Sequence, residues 1–356
     1  MDAYAAALCR EAAARAAEHS EAVVAAGESI DTLYIGGGTP SVLPLSVLRS
    51  IVERLRALGL CSPAPLEFTL EVNPDDILHR GEDYLRGLRE LGVNRISMGV
   101  QSFDDARLRL MNRRHGADDA VRAFRMLREA GFGNISIDLI YGTGEICGEP
   151  SRPGQWEASL DRALELRPEH ISAYQLSLEP DSILEKLYAD GRFRPADDEV
   201  CVREWELLCR RLDEAGYMHY EISNFALPGY EAVHNSAYWR HNPYLGLGPA
   251  AHSLSLGRDG VWKRSWNPAD LQAYIDNWGP DACPKAAECE LLSEEQLRME
   301  SIMLGLRTSR GVEAALLGRE ALERGLAEGN LICEGGRVRI APSRLFVSDS
   351  IIASLV

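Results

Sequence analysis

The 356-residue chain is 46% apolar and 26% charged, enough for a sizeable core in one large domain with smaller ones attached. Its formal charge of −16 offers no basic face for duplex phosphates, so no nucleic-acid partner is expected. No apolar run approaches the roughly 20 residues of a bilayer span, and MDAYAAALCREAAARAAEHS lacks the basic start and apolar core of a signal peptide, which points to the cytoplasm.

An Ala-rich helix opens the chain. Residues 1–190 then repeat one unit, a short apolar strand, a turn and an amphipathic helix. Strands are expected at 32–35, 67–72, 95–100, 135–141 and 170–176, and helices at 45–58, 84–91, 117–130 and 155–166. Such βα repeats imply a parallel sheet, open or closed. Polar residues lie at or just past the ends of successive strands, where barrel enzymes keep their sites, whereas an open doubly wound sheet would gather them at one switch point. Five strands are too few for eight, so a partial barrel is expected. The basic run 107–128 is interleaved with Asp104, Asp105, Asp118, Asp119 and Glu129 and reads as a solvated helix surface.

Residues 191–285 differ. A long helix is expected over 197–216, followed by aromatic, Gly-rich, loop-like sequence. Residues 286–356 show helical patterns at 293–306 and 319–328, a hairpin at 331–340 turning on Gly335-Gly336, and a last helix. Together they suggest a winged-helix-like module, though without a basic recognition helix. The eight cysteines include no Cys-x-x-Cys pair, which excludes a disulfide framework and a zinc ladder.

Several groups carry chemistry. Gly36, Gly37 and Gly38 leave the first strand bare, so that a ligand can touch main-chain groups. No Lys-Ser/Thr follows, as a Walker loop would need; an amino-acid-like ligand with an ammonium and a carboxylate suits the backbone equally well. Glu71 ends the second strand, where it can accept from a ribose or amine or form a rim ion pair. Gln101 ends the third, and Ser102 or Asp104 can cap the next helix. Arg113 can reach back toward a carboxylate, with a plain surface role as the alternative. Asp138 lies in an apolar strand, so it is functional or satisfied by a nearby arginine. Four histidines (His219, His234, His241 and His252) crowd among Tyr220, Tyr230, Tyr238, Trp239 and Tyr244. On residue type alone this is a loop-rich cap with a small aromatic core. Equally, neutral imidazole and aromatic rings are the groups that hold a heme.

The segments IDTLYIGGGTPSVLP, EVNPDD, RISMGVQSFDDARLRLMNRRH, ISIDLIYGTG and HISAYQLSLEP resemble the radical S-adenosylmethionine (SAM) proteins of the oxygen-independent coproporphyrinogen III oxidase group, over nearly the whole chain. The stretch 220–253, with His234-Asn235-Ser236-Ala237-Tyr238-Trp239, is similar to the HNxxYW signature of the heme-chaperone branch, HemW, of that group. The resemblance implies a partial (β/α)6-type TIM-like barrel without its first strand (1–190), an accessory aromatic and His-rich region (191–285) and a C-terminal module (286–356). It implies that Gly37, Gly38 and Thr39 hold the methionine end of SAM, with Glu71 and Gln101 near its amine and ribose. Arg113 would meet the carboxylate and Asp138 complete the shell, with Ser177 and His252 as lesser contacts. It implies heme contact at Tyr238 and Trp239, with His234 as candidate iron ligand, and heme-accepting proteins as partners. Peripheral membrane association stays open.

Members of the group carry a Cys-x-x-x-Cys-x-x-Cys loop for a [4Fe–4S] cluster before the first helix. This chain has none, so no residue is assigned to a cluster, which is expected only if a preceding segment exists. The intact downstream motifs favour a start codon assigned too far downstream. Two other functions are weighed, a porphyrinogen oxidase using SAM-derived radicals and a cluster-free relative that binds SAM or heme. The loop 145–154 is longer than the resemblance leads one to expect.

Overall fold

The computed structural model describes residues 1–27, 31–146, 154–180, 182–282 and 287–356, so most of the loop 145–154 lies outside the described residues. The chain opens with helix α1 (Asp2–Ala26), then strand β1 (Thr32–Ile35), α2 (Leu45–Ala57), β2 (Glu67–Val72), α3 (Pro74–Leu91) and β3 (Arg95–Gln101). It continues through α4 (Asp105–Leu110), α5 (Ala117–Glu129), β4 (Ile135–Tyr141), β5 (Glu145–Ile146), α6 (Gln155–Leu166), β6 (His170–Gln175), α7 (Ile183–Ala189), β7 (Phe193–Arg194) and α8 (Asp198–Glu214). A seven-stranded sheet, β1-β2-β3-β4-β6 followed by β9 (Asn224–Ala226) and β8 (Met218–Glu221), is parallel through β6, and its last two strands run antiparallel. It forms the curled half-barrel of a radical SAM fold, with helices on its outer face.

Each strand alternates sharply. Phe68, Leu70, Ile96, Met98, Ile137, Leu139 and Ile171 face the helices in one fully buried core. A side chain buried in this way contributes roughly 1.5–3 kcal/mol. Their neighbours Glu67, Thr69, Glu71, Arg95, Ser97, Ser136, Asp138, His170 and Ser172 occupy the other register positions. Parallel strands are usually apolar on both faces. This sheet is apolar on one face only, so its concave side is a polar hollow.

The helices follow their sequence. In α2, Leu48, Ile51, Val52 and Leu55 fall on one face and are buried. Helix α3 begins at Pro74, ten residues before the helix expected at 84–91. Pro at the first turn and Asp75 and Asp76 beside the helix dipole start it there, while Gly81 at φ 71° breaks it midway, which hid the first half. Asp104, not Ser102, caps α4, accepting from Ala106 and Arg107 N–H at 2.8 and 3.0 Å.

Residues 191–285 are not the loop-like region expected. Trp205, Leu208 and Leu212 of α8, with Tyr217 and Phe225, enter the main core, so the boundary at 190 does not separate two cores. Helix α9 (Val233–Trp239) follows, then a second sheet of β10 (His252–Leu256), β11 (Trp262–Trp266) and β12 (Glu288–Leu292), with α10 (Leu271–Asn277) between β11 and β12. The C-terminal elements are α11 (Glu294–Leu306), β13 (Val312–Glu313), α12 (Arg319–Ala327), β14 (Leu331–Glu334), β15 (Arg337–Ile340) and α13 (Ser348–Ala353). They enclose their own core around Ile302, Leu306, Val338 and Ile340. No described helix is long and apolar enough to cross a membrane.

Candidate functional site

The residues expected at the strand ends meet on one rim. Gly37 has φ 80° and donates its N–H to Glu71 Oε2 at 3.0 Å. A Cβ on Gly36 would lie 2.5 Å from the Glu71 carboxyl carbon and 2.5 Å from the Tyr34 ring, so only glycine lets the carboxylate close on this loop. Gly38 faces open space, with nothing within 4 Å of such a Cβ. Tyr34 donates to Glu71 Oε1 at 2.6 Å. Two donors therefore fix Glu71, and each of its oxygens keeps acceptor capacity.

Asn73 Nδ2 donates to Thr39 Oγ1 at 3.4 Å. At Gly99 a Cβ would lie 2.9 Å from Gln101 Nε2 and 3.2 Å from Asn73 Oδ1, so three strands crowd together there. Gln101 has φ 68° at a register shift between β3 and β4. Such a bulge re-aims a side chain, and left-handed backbone in a non-glycine residue costs on the order of 1 kcal/mol.

Asp138 lies in the hollow, 3.4 Å from Ser97 Oγ and also hydrogen-bonded to Ser172. The expected arginine partner is replaced by these hydroxyls, with Arg95 and Arg113 acting at longer range. Burial and then the Glu71 charge push its carboxyl up to about 6, against the serines and Arg95. Part of the side chain stays open to the hollow although protein encloses it. Burial likewise lowers the Arg113 pKa, opposed by Asp138 and Asp75. Ser177 turns to Glu179 at 2.6 Å, and His252 stacks on Trp266 at 5.9 Å; neither hydrogen-bonds to the rim.

Helix α9 docks against the inner side of the edge strand β1. The His234 ring stacks on Tyr34 with centroids 5.1 Å apart and planes at 24°. Its Nδ1 is 2.8 Å from Thr32 Oγ1 and its Nε2 is 2.8 Å from the Tyr238 hydroxyl. Burial, aided by Arg95 and opposed by Glu67, lowers the His234 pKa, so the imidazole is neutral at pH 7. Tyr238 meets Tyr244 edge-on at 4.6 Å, and the buried Trp239 indole N–H has no partner in the protein. The neighbouring histidines are structural: His219 stacks on Phe225 at 4.1 Å and is lowered to about 4 by burial, and His241 pairs with Glu300 at 2.8 Å.

Tyr34 thus touches both Glu71 and His234, joining the rim to α9. Sequence reading missed it, with Thr32 and Glu67. The signal was polar residues at alternate positions of otherwise apolar strands. A cleft of about 640 Å³ lies elsewhere, lined by Arg107, Gln155, Arg194 and Glu204, and includes none of Gly36–Gly38, Glu71, Asp138 or His234.

The Radical SAM superfamily model matches residues 12–146. The heme chaperone HemW of Bacillus subtilis is 36% identical over 287 residues, which span 80% of this chain and 71% of that protein. The chain belongs to the HemW family. The heme chaperone HemW of Synechocystis is 35% identical over 318 residues, 88% of this chain and 71% of that one. The solved structure of coproporphyrinogen III oxidase (HemN) from Escherichia coli, a radical SAM enzyme, matches with a TM-score of 0.76, covering 99% of this chain and 82% of that one. At 21% identity that likeness is one of fold.

A radical SAM scaffold implies SAM and a [4Fe–4S] cluster. The donor set does not fit the cluster. Among the described residues no three His, Cys, Asp or Glu are grouped to hold a metal ion, and the sequence has no Cys-x-x-x-Cys-x-x-Cys. No described cysteine is disulfide-bonded: Cys61 and Cys201 are buried, and Cys289 and Cys333 are exposed on separate elements.

Proposed function

We propose that this HemW-family chain takes up heme as cargo at His234 and releases it to an acceptor protein. The observation that carries the reading is the His234 imidazole. It is neutral, set between aromatic rings, and directs Nε2 toward the half-exposed Tyr238 hydroxyl. Neutral imidazole is a standard axial ligand of heme iron, and Tyr34, Tyr238 and Trp239 supply apolar ring surface beside it. The unpartnered Trp239 N–H can donate to a propionate oxygen.

The rim supports SAM binding. Glu71 accepts hydrogen bonds from an ammonium or ribose, the backbone at Gly37, Gly38 and Thr39 faces the methionine moiety, and Gln101 and Asp138 close the polar wall. Arg113, near Asp138, is the cation for a carboxylate. SAM supplies a methionine-linked nucleoside that fills such a mouth, and no step is drawn through a cluster for which this chain has no ligands.

The polar wall weighs against a porphyrinogen substrate inside the barrel. It presents Glu71 and Asp138, carboxylates that repel propionates. Loading the chain with one equivalent of hemin and mixing it with an apo-globin tests the reading. Migration of the Soret band to the globin is expected. Failure to take up hemin contradicts it, as does decarboxylation of coproporphyrinogen by the chain under reducing conditions with SAM.

A further inference from the structure

His234 is held more firmly than helix docking requires. Glu67, 4% exposed, accepts the Val233 N–H at 2.8 Å on Oε2 and the His234 N–H at 3.0 Å on Oε1. These are first-turn donors that the preceding Ala232 has no side chain to cap. Arg95 stands 4.0 Å from the same carboxylate and holds it in place. A capping carboxylate alone would leave the imidazole free to rotate. Thr32 removes that freedom, its hydroxyl lying 2.8 Å from Nδ1, while the Tyr34 ring fixes the plane of the imidazole.

We propose that Thr32 and Glu67 are positioning residues for the iron-ligating nitrogen of His234, and that the Tyr238 hydroxyl is a cap that heme displaces. The inference rests on His234 being the heme ligand. A ligating histidine commonly donates its other N–H to an oxygen, which fixes the tautomer and raises the basicity of the ligating nitrogen. With Nδ1–H donated to Thr32 Oγ1, the Nε2 lone pair is directed at Tyr238, whose O–H donates to it. Tyr238 is 37% exposed, so its hydroxyl can turn to water as iron arrives. One hydrogen bond breaks and one Fe–N bond forms, with no proton left over.

The two hydroxyls oppose each other in this scheme, which separates it from a structural role. Thr32 assists ligation and the Tyr238 hydroxyl competes with it, so their removal moves heme affinity in opposite directions. General damage to the fold would lower affinity in both variants.

The test is an absorbance titration of the full chain with hemin, using wild type, Thr32→Val, Thr32→Ser, Glu67→Gln, Tyr238→Phe and His234→Ala, with circular dichroism to confirm folding. Thr32→Val is expected to weaken binding by about 10- to 100-fold and to shift the Soret band, the size found when such supporting partners are lost. Thr32→Ser restores both, Glu67→Gln weakens binding, and Tyr238→Phe tightens it. Thr32→Val matching wild type in affinity and spectrum overturns the positioning role, and weaker binding by Tyr238→Phe overturns the cap. If Glu67→Gln does not fold, the Thr32 pair decides alone. Identical titrations of wild type and His234→Ala overturn the heme reading beneath this inference, whatever the other variants do.

Discussion

Asp138 shows what a half-barrel hollow does to a single carboxyl. Protein encloses it and Glu71 adds a like charge, so its pKa is pushed up to about 6 from 3.8. The folded state therefore holds a proton that the unfolded chain has lost between about pH 4 and 6. Stability falls as pH rises through that window and is level above it. Asp138→Asn removes the effect. We predict that it raises stability at pH 7.5 by about 1–2 kcal/mol, less than the full shift converts to because water reaches the hollow, and that the gain vanishes toward pH 4. Urea unfolding at the two pH values measures it, and a gain of equal size at both would contradict the assignment. Sequence alone marked Asp138 as a buried charge needing a partner. It could not show that Ser97 and Ser172, 41 and 34 residues away, supply the hydrogen bonds, because cross-strand neighbours depend on register.

At the scale of elements, α1 is fastened to the accessory region by one residue. Glu11 is fully buried and accepts from Tyr274 OH at 2.6 Å, Asn267 Nδ2 at 2.7 Å, Gly248 N–H at 3.0 Å and Arg15 at 3.3 Å. Replacing it with Ala strands these donors in the interior. Glu11→Ala should destabilise the protein by about 3 kcal/mol, read as a lower urea midpoint, and a change under about 0.5 kcal/mol would show the clamp to be dispensable. The helices and strands of residues 32–175 were legible because period and punctuation agreed there. Those of 218–266 were not. Strands β8 and β9 are four and three residues long and depend on pairing with β6, and β10 and β11 depend on each other, so no local pattern announces them.

For the whole molecule, the alternation within the parallel strands is the organising fact. One register set builds the core under the helices, and the other lines a hollow whose rim carries Gly37, Glu71, Gln101 and Asp138, with His234 docked against its edge strand. The rim residues were legible as polar groups at strand ends. Tyr34, Thr32 and Glu67 were not, because they act across the hollow on a helix some 200 residues later in the chain, as the Thr32–His234 pair at a separation of 202 shows. The account depends most on that imidazole. Titration of the chain with hemin at pH 7.5, beside His234→Ala, tests it directly. A saturable Soret band near one equivalent in the wild type, lost or at least tenfold weaker in His234→Ala, is predicted. Superimposable curves from the two proteins would contradict it.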